Sequence, residues 1–462
     1  MITASKAEPV TAVPREHARG HPAGVAVLAL TEAWERFSFY GMQALLMLYM
    51  VQELLPHRPD EHVAGFRPFR MALELVLGPL SPVALAAQIT GLYAGLVYLT
   101  PLLGGYLGDR LGRSKLVLTG AALMACGHLL LALNTTFLVA ICLLVLGSGC
   151  LKGNIAAQVG SLYAADDHRR DRGYLWFNFG INIGAFAGPL ICGGIGDRVG
   201  WHWGFGAAGV GMLIGLAIYA ANLRLLRPAT SSQTSLVEEA RLSLSRDDWR
   251  RMGAVIAIIL LLLAYNLPFG QAYNIFPLWI SQAADLRVTE SFTLPVPWYL
   301  AADGLITVAS TPLVLALWRR QAKEGREPGE VGKVAIGCAM MSAGNLLFTI
   351  LSAATPPHKL FWGWGYAYFL IVSTSYLFTM PVLLALVSRA TPRRLVGTMM
   401  GFAYAGLFIA NVGGGWLGRF YEVLGPTGFW ALQAAIAAIG CAGALLLRKR
   451  VGKLLGPGLD AS

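Results

Sequence analysis

Twelve stretches of this chain are each long and apolar enough to cross a bilayer, and that feature leaves few folds open. A hydrocarbon core about 30 Å thick takes about 20 apolar residues in a helix. The stretches run over 24–51, 86–107, 116–133, 138–159, 174–195, 203–221, 252–280, 296–318, 334–353, 360–387, 396–417 and 427–447. They are continuous apolar runs, not the alternating strands of a membrane barrel. The chain therefore reads as an all-α integral membrane protein of twelve transmembrane helices, spans 1 to 12. Composition agrees. Charged residues make up 13% of the 462, about half the share in a soluble domain. A soluble two-domain enzyme is excluded on that ground. A disordered chain is excluded because it would need low hydrophobicity, and 56% of this one is hydrophobic.

Lys and Arg set the expected orientation, because they concentrate in short cytoplasmic loops. With both termini inside, 27 of the 36 basic residues fall in inside segments, seven in outside segments, and two, Arg36 and Lys152, within spans. That bias accounts for the net charge of +11 without a nucleic-acid partner. The expected organisation is a cytoplasmic tail (1–23), a six-helix bundle (24–222), a cytoplasmic linker (223–251), a second six-helix bundle (252–448) and a cytoplasmic tail (449–462), in the cell's inner (plasma) membrane. The outside stretch 52–85 is long and partly amphipathic, which predicts a short surface helix. All six cysteines lie in apolar spans with no CxxC pair, so neither disulfides nor a metal site is expected. His128 in span 3 reads as a packed polar residue rather than a ligand. Pro268, Pro312 and Pro381 are expected to kink their helices. Six plus six helices around a linker is the layout of transporters that hold substrate near the midplane between two halves.

Five charges fall well inside spans: Glu32, Glu35 and Arg36 in span 1, Lys152 in span 4 and Asp303 in span 8. Each would cost about 2.5–3.5 kcal/mol at the bilayer centre if left unpaired. They must pair or face a wet cavity, and such residues are functional candidates. Glu32, Glu35, Arg36, Phe39 and Tyr40 share one face of a helix by their spacing, and that face is expected to look into a central cavity. A self-neutralising Glu–Arg pair that only locks helices together is the plainer reading of the same residues. Three carboxylates against two cations leave a surplus of one negative charge, which a single bound proton would neutralise.

These residues resemble a known family. Glu32-Ala-Trp-Glu35-Arg36-Phe37-Ser38-Phe39-Tyr40-Gly41 is similar to the ExxERFxYYG signature of the proton-dependent oligopeptide transporter family of the major facilitator superfamily, with Phe39 in place of the first tyrosine. Leu151-Lys152-Gly153-Asn154 resembles the family's LKPN segment, and Phe177-Asn178-Phe179-Gly180-Ile181-Asn182-Ile183-Gly184 its FYxxINxG signature. Val97-Tyr98-Leu99 and the loop with Asp109, Arg110 and Arg113, a candidate gating loop, also match. The resemblance is strong over 30–190 and looser beyond.

The resemblance implies secondary active transport of di- or tripeptides driven by a proton gradient, with no other cofactor. It implies that Arg36 and Lys152 hold the substrate carboxylate, a contact a fixed cation is suited to make. It gives Glu32 and Glu35 a part in proton coupling, and Tyr40, Tyr98 and Asn182 a place lining the site with Phe39. The second half departs from the pattern. The family's span 7 glutamate before Gln271 is replaced by Gly270, and its span 10 glutamate by Tyr376. Asn266 stands for a span 7 tryptophan, and Asp303 lines up approximately with a span 8 asparagine. A buried ammonium needs an anion, so Asp303 is expected to compensate as a relocated amine or proton site, with Asn266, Gln271 and Tyr376 lining the cavity. The alternative is an atypical member that moves another amino-acid-derived compound, such as a metallophore or modified amino acid, in either direction. The expected partners are a small peptide-like substrate, protons and the lipid bilayer, and the chain is expected to work as a monomer.

Overall fold

The computed structural model describes residues 20–164, 167–226, 245–355, 358–392 and 395–455. Most of the expected N-terminal tail, the centre of the expected linker and the end of the expected C-terminal tail lie outside the described residues. The chain is helical throughout its spans. Spans 1 to 6 are Ala23–Tyr49, Pro82–Leu111, Arg113–Leu130, Phe137–Ser161, Arg169–Arg198 and Trp201–Ala221. Spans 8, 9 and 11 are Pro297–Lys323, Glu330–Ala353 and Val396–Leu417. Span 12 lies within Phe420–Leu455, which is bent at Gly425 with φ 66°.

Among the described residues, ten helical stretches are long and apolar enough to cross a membrane by composition alone. The two spans short of that measure have evident reasons: span 1 carries Glu32, Glu35 and Arg36, and span 3 opens with Arg113 and Lys115.

Spans 7 and 10 depart from single helices. Span 7 is Arg246–Gly270 followed by Ile275–Ala283, and span 10 is Gly363–Tyr376 followed by Met380–Ala390. Both breaks sit beside proline. Pro268 lies three residues before the first break, and Pro381 opens the helix after the second. Proline donates no backbone hydrogen bond and crowds the preceding turn, yet suits a helix's first turn. Pro312, by contrast, lies inside one continuous helix.

The expected gating loop is also corrected. Span 2 stays helical through Leu111 and span 3 begins at Arg113, so the connection shrinks to Gly112. Asp109 and Arg110 are therefore helical. Arg113 opens the next helix and pairs with Asp109 at 2.9 Å, while the Arg110 guanidinium lies 4.5 Å over the Tyr106 ring. Span 8 runs a few residues past its expected limit, to Lys323. The expected surface helix forms at Phe66–Leu77, with Met71, Leu75 and Val76 exposed and Phe66 buried.

Span 1 packs most extensively on span 5. A Cβ on Gly180, Gly184 or Gly188 would strike the carbonyl oxygens of Ala29, Ala33 or Phe37, so small residues bring the two backbones together, as in membrane helix pairs generally. Between the first six spans and the last six, the main meetings are span 2 with span 11 and span 5 with span 8. A large cavity lies between them.

Candidate binding cavity

The cavity has a volume of about 1050 Å³ and is lined from both halves. That is at the upper end of ligand pockets, about 300–1,000 Å³. The first half contributes Phe39, Tyr40, Tyr98 and Asn182, and the second Asn266, Asp303 and Tyr376. Three helices thus present aromatic rings, while amide side chains from spans 5 and 7 supply both donors and acceptors.

The charged face of span 1 enters the cavity only in part. Phe39 and Tyr40 line it, but Glu32, Glu35 and Arg36 are packed behind them and are almost wholly buried. The expectation that the whole face looks into the cavity is corrected accordingly, because neighbouring helices of the same half cover its acidic end. Arg36 Nε lies 3.0 Å from Glu32 Oε1 and also contacts Glu35 Oε2. One guanidinium therefore serves two carboxylates, as burial of like charges requires. Its other neighbour is the Phe39 ring, at 5.2 Å.

Lys152 approaches the same ring. Its Nζ lies 4.3 Å from the Phe39 centroid and 5.6 Å from that of Tyr98. Among the described residues no carboxylate is within 4.0 Å of it. Lys152 is thus held by π faces, which attract an ammonium without neutralising it. Asn154, two residues on, fixes span 4 to span 2 by donating to the Gly104 carbonyl at 2.9 Å.

Asp303 is built differently. Ser373 of span 10 donates to its Oδ1 at 2.5 Å, and the Tyr273 hydroxyl, from the break in span 7, donates to its Oδ2. Among the described residues it has no cation at ion-pair distance. The cavity's other carboxylate, Glu330, contacts Arg389, and beside it Lys333 pairs with Glu327 at 2.5 Å and lies 4.3 Å over the Trp318 ring. That end of the cavity balances its own charge.

The remaining expected residues fall into place individually. Asn182 turns its amide NH2 back to the Asn178 carbonyl at 2.8 Å, and Asn266 to the Leu262 carbonyl at 2.9 Å, and both residues line the cavity. Tyr376 stacks on Phe269 with ring centroids 5.9 Å apart. Gln271 is the exception. It is fully buried and does not line the cavity, because its amide donates to the Gly414 carbonyl of span 11 at 2.9 Å. His128 is fully buried in span 3, away from the cavity. Sequence reasoning missed Tyr273, Ser373 and Asn274. The signal for two of them was the polar run Gln271 to Asn274 inside an apolar span, close after Pro268.

Comparison with known proteins agrees with this geometry. Residues 35–415 match the Major Facilitator Superfamily. The peptide transporter YePEPT of Yersinia enterocolitica subsp. palearctica serotype O:3 (strain YE-P4) is 28% identical, over 93% of this chain and 94% of that protein. A di-/tripeptide transporter of Lactococcus lactis subsp. cremoris is 25% identical, over 95% and 97%. A crystal structure of the peptide transporter POT in complex with sulfate superposes with a TM-score of 0.81 at 25% identity, covering 96% of this chain and 97% of that one. These relatives are transporters, not enzymes.

Proposed function

The chain belongs to the major facilitator superfamily and, within it, to the proton-dependent oligopeptide transporter family, and from that premise we propose that it is a proton-coupled symporter of di- or tripeptides or peptide-like carboxylates, working by alternating access. The observation that carries the reading is a pair of charges with no ion partner among the described residues: Asp303 of the second half, which lines the cavity, and Lys152 of the first, which lies behind the cavity-lining rings of Phe39 and Tyr98. A free peptide carries a carboxylate at one end and an ammonium at the other, and amide groups between. Lys152, backed by Arg36, takes the carboxylate. The asparagines and the hydroxyls of Tyr40, Tyr98 and Tyr376 serve the peptide groups, whatever the side chains.

The proton is carried among Glu32, Glu35 and Asp303. Arg36 is shared by two carboxylates in this state, so a proton on either glutamate weakens the hold on the guanidinium and leaves it one ion partner fewer when the substrate carboxylate arrives. The protein sits in the plasma (inner) membrane with both termini cytoplasmic, by the distribution of its basic residues, and acts as a monomer. Uptake of labelled dipeptide into proteoliposomes under an imposed pH gradient tests the reading. Accumulation that collapses with the gradient is expected; gradient-independent flux, or none for any peptide, overturns it.

A further inference from the structure

The break in span 7 does more than shape the cavity wall. Its four residues, from Gln271 to Asn274, are held in successive turns, with Tyr273 N bonded to the Gly270 carbonyl at 3.2 Å and Asn274 N to the Gln271 carbonyl at 3.2 Å. Three of their side chains reach three different helices. Gln271 Nε2 donates to the Gly414 carbonyl of span 11 at 2.9 Å. The Tyr273 hydroxyl donates to Asp303 of span 8. Asn274 Nδ2 donates to the Ala87 carbonyl of span 2 at 3.1 Å. The last bond crosses from the second half of the molecule to the first.

The two carbonyls that this segment grips lie where the halves meet most closely. A Cβ on Gly91 of span 2 would strike the Asn411 carbonyl of span 11 and come within 2.8 Å of the Gly415 Cα. A Cβ on Gly415 would lie 2.8 Å from the Ala87 oxygen itself. Spans 2 and 11 therefore meet backbone to backbone, and Asn274 and Gln271 hold one member each. Gln271 and Asn274 are both at least nine-tenths buried, and among the described residues the amide oxygen of each side chain has no hydrogen-bond partner. Each staple thus rests on its single bond.

We propose that the span 7 break is a coupling staple: Tyr273 reads the occupancy of Asp303, and Asn274, its chain neighbour, holds or releases the seam between spans 2 and 11. The inference rests on the transport reading above. Alternating access requires that seam to part, and a transporter is coupled only if parting depends on what the binding site holds. A proton or a substrate ammonium on Asp303 competes for the oxygen that Tyr273 now occupies. Tyr273 and Asn274 are consecutive in a tight turn, so one cannot shift without the other. Among the described residues, the titratable groups that feel Asp303 from the surrounding helices are tyrosines: Tyr273, Tyr40, Tyr98, Tyr368 and Tyr376. Among the described residues, none of the cations ion-paired elsewhere lies against it. Tyr273 also touches Tyr40 of the first half, with ring centroids 6.4 Å apart.

Tyr273 and Asn274 are positioning residues here, so the test needs a readout that a purely structural role would not move. Hydrogen–deuterium exchange of the full-length protein reads the seam directly, at 84–95 and 411–418, with or without transport. Tyr273→Phe keeps the ring and deletes the hydroxyl; Asn274→Ala deletes the cross-half bond. Both are expected to speed exchange of the seam about fivefold, the population change that losing one hydrogen bond produces. In both, uptake is also expected to lose its dependence on the pH gradient. Asn274→Gln, which retains the amide donor, should recover part of that dependence. Unchanged seam exchange in both variants overturns the proposal. So does a seam that loosens in Asn274→Ala but not in Tyr273→Phe, because the link to Asp303 is then absent. If wild type moves no peptide yet both variants loosen the seam, the staple stands and the peptide-symport reading falls.

Discussion

Spans 1 and 8 handle their buried charges in opposite ways. In the first half Glu32, Glu35 and Arg36 neutralise one another along a single helix, and Lys152 rests against aromatic rings beside them. In the second half Asp303 stands without a cation among the described residues, held by two neutral hydroxyls from two broken helices. Ion pairs keep a charge in place at the expense of its availability, since the partner must be displaced before a ligand can bind. Hydroxyl donors stabilise a carboxylate but leave its charge to be neutralised by something else. The first half is thus built to exchange partners, and the second to acquire one.

Arg36→Ala should break this contrast most severely. Removing one member of a buried ion cluster costs about 3–5 kcal/mol, here by leaving Glu32 and Glu35 with no cation at contact distance. The variant should insert in the membrane, melt well below wild type and bind no dipeptide with high affinity. Wild-type uptake in this variant would refute its place in the carboxylate site. Lys152→Ala sharpens the comparison, because no ion pair is lost with it. Dipeptide affinity should fall about 10- to 100-fold, the value of a charge-assisted hydrogen bond, while the melting temperature stays near that of wild type. A melting temperature as low as that of Arg36→Ala would mean that Lys152 is structural after all.

Asp303→Asn probes the other side. The amide can keep both hydroxyl partners but takes up no proton. Gradient-driven uptake should drop about tenfold, with the remainder insensitive to pH; an unchanged pH profile would leave Asp303 as a structural residue. Ser373→Ala removes one of its donors and should cost about 1 kcal/mol in thermal unfolding, since Tyr273 remains. The smallest effect lies outside the spans. A hydrogen bond from Arg169 holds the Asp167 carboxyl down at about 2, below its ordinary 3.8. Because its folded value is lowered, the stabilisation is present above the ordinary value and is lost as pH falls toward 2. Melting curves of wild type and Asp167→Asn should therefore differ slightly at neutral pH and converge at pH 2.

What could be read beforehand follows the same division. The span 1 ion cluster depends on i,i+3 and i,i+4 spacing, which is visible in a string of letters. The helices themselves follow from the length of apolar runs, so their order and approximate limits were legible. The breaks in spans 7 and 10 were foreshadowed by Pro268 and Pro381, but Pro312 carries the same letter and sits in an unbroken helix. Whether proline opens a helix depends on whether neighbours accept the freed backbone groups, and that is not a local property. Gln271 was expected in the cavity and is instead spent on the Gly414 carbonyl, a contact 143 residues away in the chain.

The sequence by itself determined that this is a membrane protein of twelve helices, where its charges lie along them, and to which family its first half is kin. It did so because bilayer insertion and helical periodicity depend on residues near one another in the chain. The tertiary structure alone decided which of those charges are already neutralised. It also decided that Tyr273 and Ser373 are the partners of Asp303, and that Asn274 reaches across the seam to Ala87. Those facts depend on how helices remote in sequence pack together, and many arrangements of the same twelve helices would satisfy the bilayer equally well.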